Sequence, residues 1–273
     1  MKKEPLISII TVVYNGVNTI EDTFKSVFNQ SYNNIEYIVI DGCSTDGTIE
    51  IIKKYADQIA LWISEPDKGL YDAMNKGISM ANGELIGMIN SDDWYELNTI
   101  EKVVKSFKLK PHKSIFHGDL KIYEENGDTM IKKFNPSLFK MKNYGVTYNH
   151  PTFFVSPDIY KDYKYNHNLI SVADIQFILE ILLNKKDAFE YIPYVLANFR
   201  KGGISSQQTT LSSIKSGYIA RKNAGFGIFE NTFSLFIKLV YHTTTKFISV
   251  KKYHQIKKKI KYTNESKKSN NQK

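Results

Sequence analysis

The chain opens with a regular alternation of short apolar runs and amphipathic stretches. Four runs rich in β-branched residues predict buried strands, at 6–13, 35–41, 59–64 and 84–90. Stretches with apolar residues on one face predict helices after each of them. The first helix has Asn18 as its expected N-cap and Glu21 at the capping-box position. The third, over 70–83, is expected to end at Gly83, and the fourth ends before Pro111. Such alternation predicts parallel βαβ units in one sheet.

The second half of the chain has a mixed pattern. Residues 114–134 predict a hairpin around Asn126 and Gly127, 172–184 predict a helix, and 191–199 predict a strand. Residues 146–155 are aromatic and β-prone, but Pro151 argues against a central strand there. These elements are expected to extend the first sheet. The predicted fold is therefore α/β, with a mostly parallel central sheet flanked by helices.

Composition narrows the class of protein. The 273 residues contain a single cysteine, Cys43, which excludes an internal disulfide and a cysteine-rich zinc site and is typical of a reducing compartment. The apolar run near the N-terminus is short and lacks a small-residue cleavage site, so a strand is favoured over a signal peptide. No stretch approaches the roughly 18–20 apolar residues of a membrane span. A soluble or peripheral protein is expected.

The positive charge is concentrated near the C-terminus. Residues 246–273 contain ten Lys and one Glu, which leaves 27 basic and 27 acidic residues in 1–245. A neutral body argues against nucleic-acid binding, which would spread charge over a folded face. Residues 232–261 interleave apolar and basic positions and predict an amphipathic helix whose face is formed by Phe233, Phe236, Val240 and Phe247. Such a helix could lie on an anionic membrane, and a solvated tail is the alternative.

Acidic residues follow three of the predicted strands. They are Asp41 with Asp46, Glu65 with Asp67, and Asp92 with Asp93. Because ligands bind at the carboxyl ends of strands in parallel sheets, these loops are expected to gather at one edge. Carboxylates there could hold Mg²⁺ or Mn²⁺ against a phosphate, although acids are also common in ordinary turns.

Several phosphate-binding and hydrolase motifs are absent. The first strand runs into "VYNGVNTI", without a glycine-rich dinucleotide loop, and no P-loop or nucleophile elbow occurs elsewhere. The same segment lacks the glycine-rich, Arg-containing loop expected of a nucleotidyltransferase. Any phosphate would therefore have to be held by a metal.

Four separated segments, in order, resemble glycosyltransferase family 2. They are "PLISIITVVYNG", "IVIDGCSTDGT", "SEPDKGLYDAMNKG" and "INSDDW". The resemblance is strong over 5–110 and looser over 140–205. It implies the GT-A fold and an inverting enzyme that uses a nucleotide-sugar donor, as in bacterial polysaccharide synthesis. The chain is therefore expected to form a domain over 1–225, with a nucleotide-sugar half (1–110) and an acceptor half (111–225), and its residue pattern predicts a helical basic tail over 226–273.

The resemblance implies a set of donor-site residues. The matching positions are Val12, Tyr14, Asp41, Asp46, Lys68, Asp72, Asn75 and Asp92. Asp41 is expected to bind the base or ribose, Asp92 the sugar, and Asp46 to bind donor or to cap the next helix. The chain departs from many relatives at Met74, where they carry Arg.

Asp93 is the metal ligand that the resemblance implies, with Mn²⁺ or Mg²⁺ as cofactor. The cation would offset charge on the departing nucleotide. Asp174 matches the general base on the acceptor hydroxyl, with a favourable helix-start acid as the alternative reading and Glu180 as a distant competitor. Trp94, His150 and Arg200 are expected near the acceptor or the diphosphate.

The sequence thus predicts a glycosyltransferase that acts on a saccharide, expected to be lipid-linked, at the cytoplasmic face of the cell membrane. A nucleotidyltransferase is disfavoured by the missing loop. A degenerate member that only binds a nucleotide sugar or a partner remains the alternative.

Overall fold

The computed structural model describes residues 4–143, 147–169, 171–203 and 210–240. The strands are β1 (Ile7–Val13), β2 (Ile35–Asp41), β3 (Leu61–Ser64), β4 (Leu85–Met88), β5 (Trp94–Tyr95), β6 (Ile115–Tyr123), β7 (Thr129–Lys132), β8 (Phe154–Val155) and β9 (Phe189–Arg200). The helices are α1 (Ile20–Phe28), α2 (Thr48–Lys54), α3 (Leu70–Met80), α4 (Thr99–Leu109), α5 (Leu138–Asn143), α6 (Pro157–Asp162), α7 (Ala173–Asn184) and α8 (Thr210–Asn223). A further helix, α9, covers 228–240.

One twisted sheet contains strands from both halves of the chain. Its order is β3-β2-β1-β4-β8-β6-β9-β5, with β7 paired to β6. The first four strands are parallel, as predicted, whereas β8 is antiparallel to both of its neighbours. The predicted hairpin is β6 with β7, in antiparallel register. The second half therefore extends the first sheet.

Alternate residues of the buried strands face two separate cores. On β1, Ile7 and Ile9 belong to the core that α1 and α4 cover, while Ile10 and Val12 face the core that α3 and α7 cover. This follows from the two-residue period of a strand whose two faces are both covered. A Cβ on Gly77 of α3 would lie 2.5 Å from Ile10, so the glycine allows α3 to pack closely on β1.

Two predicted helix boundaries are wrong. The N-cap of α1 is Thr19 rather than Asn18, and it makes no side-chain capping hydrogen bond. Helix α3 ends at Met80 rather than at Gly83. Gly83 instead lets the chain pass close to β1, because a Cβ at this position would lie 2.4 Å from the backbone nitrogen of Ser8. The glycine thus reflects a tertiary contact rather than a helix end.

The expectation from Pro151 also needs correction. Pro151 lies in a short 3-10 turn, but the strand that follows it, β8, occupies the middle of the sheet between β4 and β6. Only Phe154 and Val155 form this strand, so the proline breaks the preceding segment without excluding a central strand. A Cβ on Gly87 would lie 2.7 Å from the Phe154 ring, which shows how closely β4 and β8 pack.

Helices α8 and α9 complete the described chain. The Oγ of Ser234 donates to the carbonyl of Asn143 at 3.1 Å, and Nε of Arg221 donates to Oδ1 of Asn231 at 3.0 Å. Helix α9 is thus held against α5 and α8, and the domain division at 225 stays a prediction. Across the described ranges, no helix has the length and hydropathy needed to cross a bilayer. Residues 241–273, including Phe247 of the predicted apolar face, lie outside the described residues.

Candidate active site

Two loops at the carboxyl ends of β1 and β2 are joined by hydrogen bonds. The amide of Asn15 donates to Oγ of Ser44 at 2.7 Å, and the amide of Thr45 donates back to Oδ1 of Asn15 at 2.8 Å. Asn15 has a φ of 53°, a left-handed conformation that Asn tolerates better than most residues. The amide of Gly16 donates to Oγ1 of Thr48 at 2.9 Å. These bonds fix the backbone that carries Tyr14.

A cavity of about 510 Å³ opens at this edge of the sheet. Its walls are Val12, Val13, Tyr14, Asn15, Gly16, Asn18, Thr19, Asp67, Gly69, Leu70, Ala73, Asn90, Ser91, Asp92, Phe199 and Gly203. The residues come from the ends of β1, β4 and β9 and from the start of α3, as the strand-end argument predicts. Of the predicted site residues, Val12, Tyr14 and Asp92 line the cavity. Tyr14 is 65% exposed, so its ring is available to a ligand.

Asp41 ends β2 and is completely buried. Its Oδ2 accepts hydrogen bonds from the Ser64 hydroxyl at 2.6 Å and the Ser44 amide at 3.1 Å. Its Oδ1 is buried and has no partner. A Cβ on the next residue, Gly42, would lie 2.6 Å from Asp67 and 3.4 Å from the Tyr14 ring. Asp41 therefore lies beneath the cavity wall with one acceptor still unused.

Two other predicted donor-site residues, Asp46 and Asp72, bind the protein's own backbone. Asp46 accepts from the amides of Val17 and Thr48, both at 3.0 Å. Asp72 accepts from the amide of Lys68 at 3.0 Å, and Lys68 itself is exposed. The capping role of Asp46 is thus the one that the contacts support, while the donor-binding roles of Asp46, Asp72 and Lys68 stay predictions.

Asn75 joins the two halves of the molecule. Its Nδ2 donates to the carbonyl of Tyr165 at 2.8 Å, and its Oδ1 accepts from the Tyr165 amide at 3.2 Å. Both the oxygen and the nitrogen of the side-chain amide thus bind a residue that is 90 positions away in the sequence. This contact ties α3 to the segment before α7, and a donor-binding role for Asn75 stays a prediction.

Asp92 and Asp93 have different surroundings. Asp92 lines the cavity, whereas Asp93 is fully buried behind it. Oδ1 of Asp93 accepts from the Arg200 amide at 3.1 Å, while its Oδ2 has no partner. Burial and the adjacent Asp92 charge raise the pKa of Asp93 well above its usual range, and burial also raises the pKa of Asp92. The pair therefore combines the Asp92 carboxylate, which reaches the cavity, with Oδ2 of Asp93, which is buried and accepts no hydrogen bond.

These carboxylates fit a divalent cation that bridges to phosphate. Such a site needs one or two carboxylates, with water and phosphate oxygens completing the coordination. In the part of the chain that the structure describes, no group of three or more His, Cys, Asp or Glu could hold a metal by itself. A cation at Asp92 would also offset the like charge of Asp93. The geometry favours Asp92 as the ligand that faces the cavity, and Asp93 as ligand stays a prediction.

Trp94 and Arg200 line a second groove, of about 370 Å³, rather than the main cavity. The Arg200 guanidinium lies 5.2 Å from the centre of the Trp94 ring and forms an ion pair of 3.1 Å with Asp22. The Arg200 amide bonds Asp93, and the Arg200 charge is near enough to oppose the rise in pKa of both Asp92 and Asp93. Diphosphate binding by Arg200 stays a prediction. Residues 204–209, which follow this segment, lie outside the described residues.

Asp174 lies in the first turn of α7, as predicted, beside α3. The hydroxyl of Tyr71 donates to its Oδ1 at 3.2 Å. Helix α3 also contributes Leu70 and Ala73 to the cavity, so it connects Asp174 to that wall. The residue before α7, Val172, has a φ of 68°. This conformation is strained for a β-branched residue, and such strain clusters at functional sites.

Two basic side chains, those of His150 and Lys132, lie close enough to Asp174 to interact with its charge. Burial lowers the pKa of His150 and of Lys132, and the Asp174 carboxylate opposes this in both. Nε2 of His150 lies 2.6 Å from the hydroxyl of Tyr165, whose ring stacks on Tyr71 with centroids 5.8 Å apart. The predicted proximity of His150 to the site thus has support, because the charge of Asp174 acts on His150 as it does on Lys132.

Sequence reasoning missed several of these residues. Tyr71 lies within the quoted segment "SEPDKGLYDAMNKG" but was assigned no role there, and Lys132 lies in no motif. Asn90, Phe199 and Gly203 join the cavity only because β4 and β9 end at the same edge. Asp67 was noticed as a strand-end acid but was not assigned a role.

Comparison with known proteins identifies the family. A family model described as Glycosyl transferase family 2 matches residues 8–163, more than half of the chain. The chain belongs to glycosyltransferase family 2. An uncharacterised glycosyltransferase of Haemophilus influenzae is 30% identical over 252 residues, covering 89% of this chain and 98% of that relative. TuaG of Bacillus subtilis, whose name assigns it to teichuronic acid biosynthesis, is 38% identical over 102 residues, covering 36% of this chain and 40% of TuaG.

Solved structures of other proteins share the fold. Staphylococcus aureus TarS 1–349 in complex with UDP-GlcNAc has a TM-score of 0.64 at 19% identity, over 88% of this chain and 73% of that one. The mannosyltransferase PcManGT of Pyrobaculum calidifontis, in complex with GDP-Man and Mn²⁺, has a TM-score of 0.60 at 15% identity, over 86% and 69%. The predictions of a GT-A fold and of a family 2 glycosyltransferase are confirmed. The chain spans well under half the length of the first curated relatives that it matches, at 36–40%.

Proposed function

We propose that this family 2 member is an inverting, metal-dependent enzyme that moves a sugar from a nucleotide-diphosphate donor to a saccharide acceptor. The observation that carries the proposal is the cavity at the carboxyl ends of β1 and β4, which is lined by both Tyr14 and Asp92. Its volume suits a nucleotide sugar. UDP-GlcNAc and GDP-Man, the donors bound in the structural neighbours, belong to the same chemical class.

The donor would lie across the strand ends. Tyr14 offers an exposed ring to the base, and Asp41 offers its unused oxygen to a base or ribose donor group after a small rearrangement. A divalent cation, Mn²⁺ or Mg²⁺, would be held by Asp92 with Asp93 behind it, and would supply Lewis-acid stabilisation of the departing diphosphate. Asn90 and Gly203 complete the wall beside the two acids.

Asp174 would act as the general base. In an inverting displacement, the acceptor oxygen bonds to the anomeric carbon as the bond from that carbon to the diphosphate oxygen breaks, and the acceptor proton passes to Asp174. The Tyr71 hydroxyl orients the carboxylate through Oδ1, leaving Oδ2 for the acceptor. Lys132 and His150 lie close enough to Asp174 for its charge to act on them, and would contribute hydrogen bonds beside the base.

A saccharide acceptor, expected to be lipid-linked, would place the enzyme in cell-surface polysaccharide synthesis at the cytoplasmic face of the membrane. The name of TuaG supports this biosynthetic setting. The lysine-rich residues 246–273 support contact with an anionic membrane. No partner nucleic acid is proposed, because the rest of the chain is neutral.

Calorimetric titration of UDP, GDP, dTDP and CMP, with and without Mn²⁺, tests the proposal. We expect Mn²⁺-dependent binding of one nucleotide, weakened at least about tenfold in Asp92→Asn, because a cation ligand is lost. Asp174→Asn is the matched control and should bind like wild type, since it contacts the acceptor side. If no nucleotide binds under either condition, the proposed function is wrong.

A second candidate is a member that binds a nucleotide sugar without transferring it. The complete burial of Asp93 favours it, because that carboxylate does not reach the cavity in this conformation. The two candidates differ in turnover. Donor consumption in the presence of membrane glycolipid acceptors, lost in Asp174→Asn, would establish transfer, and donor binding with equal, negligible consumption by both proteins would favour the binding role.

A further inference from the structure

Helix α9 turns a polar face toward the protein. Asn231 and Ser234 are each only 1% exposed. Asn231 accepts from Nε of Arg221 at 3.0 Å and donates to the carbonyl of Phe226 at 3.2 Å. Ser234 donates to the carbonyl of Asn143 at 3.1 Å. These directional bonds from two positions fix the rotation of α9 about its axis.

The opposite face of α9 is aromatic and exposed. Phe229, Phe233 and Phe236, spaced at i, i+4 and i+7, are 91%, 51% and 61% exposed. We call these three residues the aromatic face. A helix of a soluble protein ordinarily has the reverse polarity, with its apolar stripe against the core. Exposed apolar surface costs roughly 25 cal/mol per Å², so a contiguous aromatic stripe indicates a partner that covers it.

We propose that the aromatic face of α9 binds the surface of an anionic lipid bilayer. The chain that leaves α9 supports this partner, because residues 246–273 carry ten Lys against one Glu. Each lysine near an anionic surface contributes about 1 kcal/mol, and aromatic side chains favour the headgroup boundary. The residues before 246 are balanced in charge, so the excess positive charge is concentrated in the part of the sequence that follows α9. The biological role of this binding rests on the proposed function, because a lipid-linked acceptor would lie at the membrane surface.

A second copy of the chain is a poorer occupant. A buried aromatic side chain contributes roughly 150–250 Å². Three phenylalanines that are already partly covered therefore offer well below the roughly 800 Å² per partner of a stable interface. Two copies that meet through α9 would also bring two lysine-rich segments together, which is unfavourable at low salt. A bilayer needs no shape complementarity and offers the opposite charge.

Vesicle co-sedimentation of the full chain tests the proposal. We expect wild type to bind vesicles of phosphatidylcholine mixed with phosphatidylglycerol. The double variant Phe233→Ser/Phe236→Ser should bind them at least about tenfold more weakly, because two aromatic insertions are lost. Leu109→Ser is the matched control, since Leu109 of α4 is 73% exposed and lies far along the chain from α9. The control should bind like wild type.

Each remaining outcome overturns the proposal. If wild type did not bind the vesicles, the bilayer would be excluded as the partner of the aromatic face. If wild type and the double variant bound the vesicles equally, the contact would be assigned to the lysines alone. A wild-type dimer in sedimentation velocity that the double variant loses would make a second copy the occupant. Nucleotide titration of the double variant keeps the two proposals apart, because vesicle binding can fail while nucleotide binding persists, and the reverse also holds.

Discussion

Tyr71 belongs to helix α3, which lines the proposed donor cavity, and its hydroxyl donates a hydrogen bond to the proposed base, Asp174. Burial, and then the nearby Asp174 charge, raise the pKa of Tyr71 far above its usual value. The hydroxyl therefore stays protonated at any working pH and acts as a hydrogen-bond donor to Asp174. A carboxylate that accepts this hydrogen bond is held in one orientation, as a general base requires.

Tyr71→Phe should lower kcat about tenfold while the KM for the donor stays nearly unchanged, because the variant loses orientation of the base and no donor contact. Steady-state kinetics with varied donor measure kcat and KM separately. Tyr37→Phe is the control, because it removes a buried hydroxyl that lies 2.9 Å from Thr11 in the other core. An unchanged kcat for Tyr71→Phe would exclude the positioning role.

At the scale of elements, the packing of α9 on α8 brings two cations together. Burial, and then the Arg221 charge, lower the pKa of Lys238 to about 8. Gly217 of α8 gives the lysine room, because a Cβ there would lie 3.1 Å from Nζ of Lys238. The charged form of Lys238 therefore destabilises the folded state.

Lys238→Met should raise the free energy of unfolding at pH 7 by about 1 kcal/mol, because it removes a partly buried charge. The unfolded lysine titrates near 10.4, so between about pH 8 and 10 the unfolded state binds more protons and wild-type stability rises with pH. The gain from Lys238→Met should therefore shrink over that range. Urea unfolding at several pH values measures it, with Lys222→Met, an exposed position on α8, as control. A gain that is independent of pH would contradict the titration.

At the scale of the whole molecule, one continuous sheet joins the predicted nucleotide-sugar half (1–110) to the predicted acceptor half (111–225). Trp62 lies on β3 at one edge of the sheet, and Trp94 lies on β5 at the other. Phe154 of β8 lies between them and is fully buried. A perturbation at β8 should therefore reach both edges.

The variants Trp62→Phe and Trp94→Phe should unfold with the same dependence of free energy on denaturant, because each leaves a reporter at one edge of a single cooperative unit. Phe154→Ala should lower stability by about 3–5 kcal/mol in both backgrounds through the cavity it leaves. Tryptophan fluorescence in urea measures the transitions. Separate midpoints for the two reporters would show that the halves unfold independently.

The amino-acid sequence by itself determined the order of the strands and helices in the first half, the position of the acids after the strands, and the family. These features are local, since residue spacing decides which side chains share a face and where a strand ends. Val12, Tyr14 and Asp92 were accordingly found on the cavity wall. The proposed base, Asp174, was placed correctly at the start of its helix for the same reason.

Only the tertiary structure decided which of two adjacent acids faces the cavity, which tyrosine holds Asp174, and which side of α9 is exposed. Tyr71 and Asp174 are 103 residues apart, and their contact depends on how α3 and α7 pack on one face of the sheet. Gly83 and Pro151 were misread because each reflects packing against a distant strand. Asp93 is buried because β9 passes behind it and presents the Arg200 amide. A local pattern cannot encode these outcomes, because each depends on chain segments that meet only after the sheet has formed.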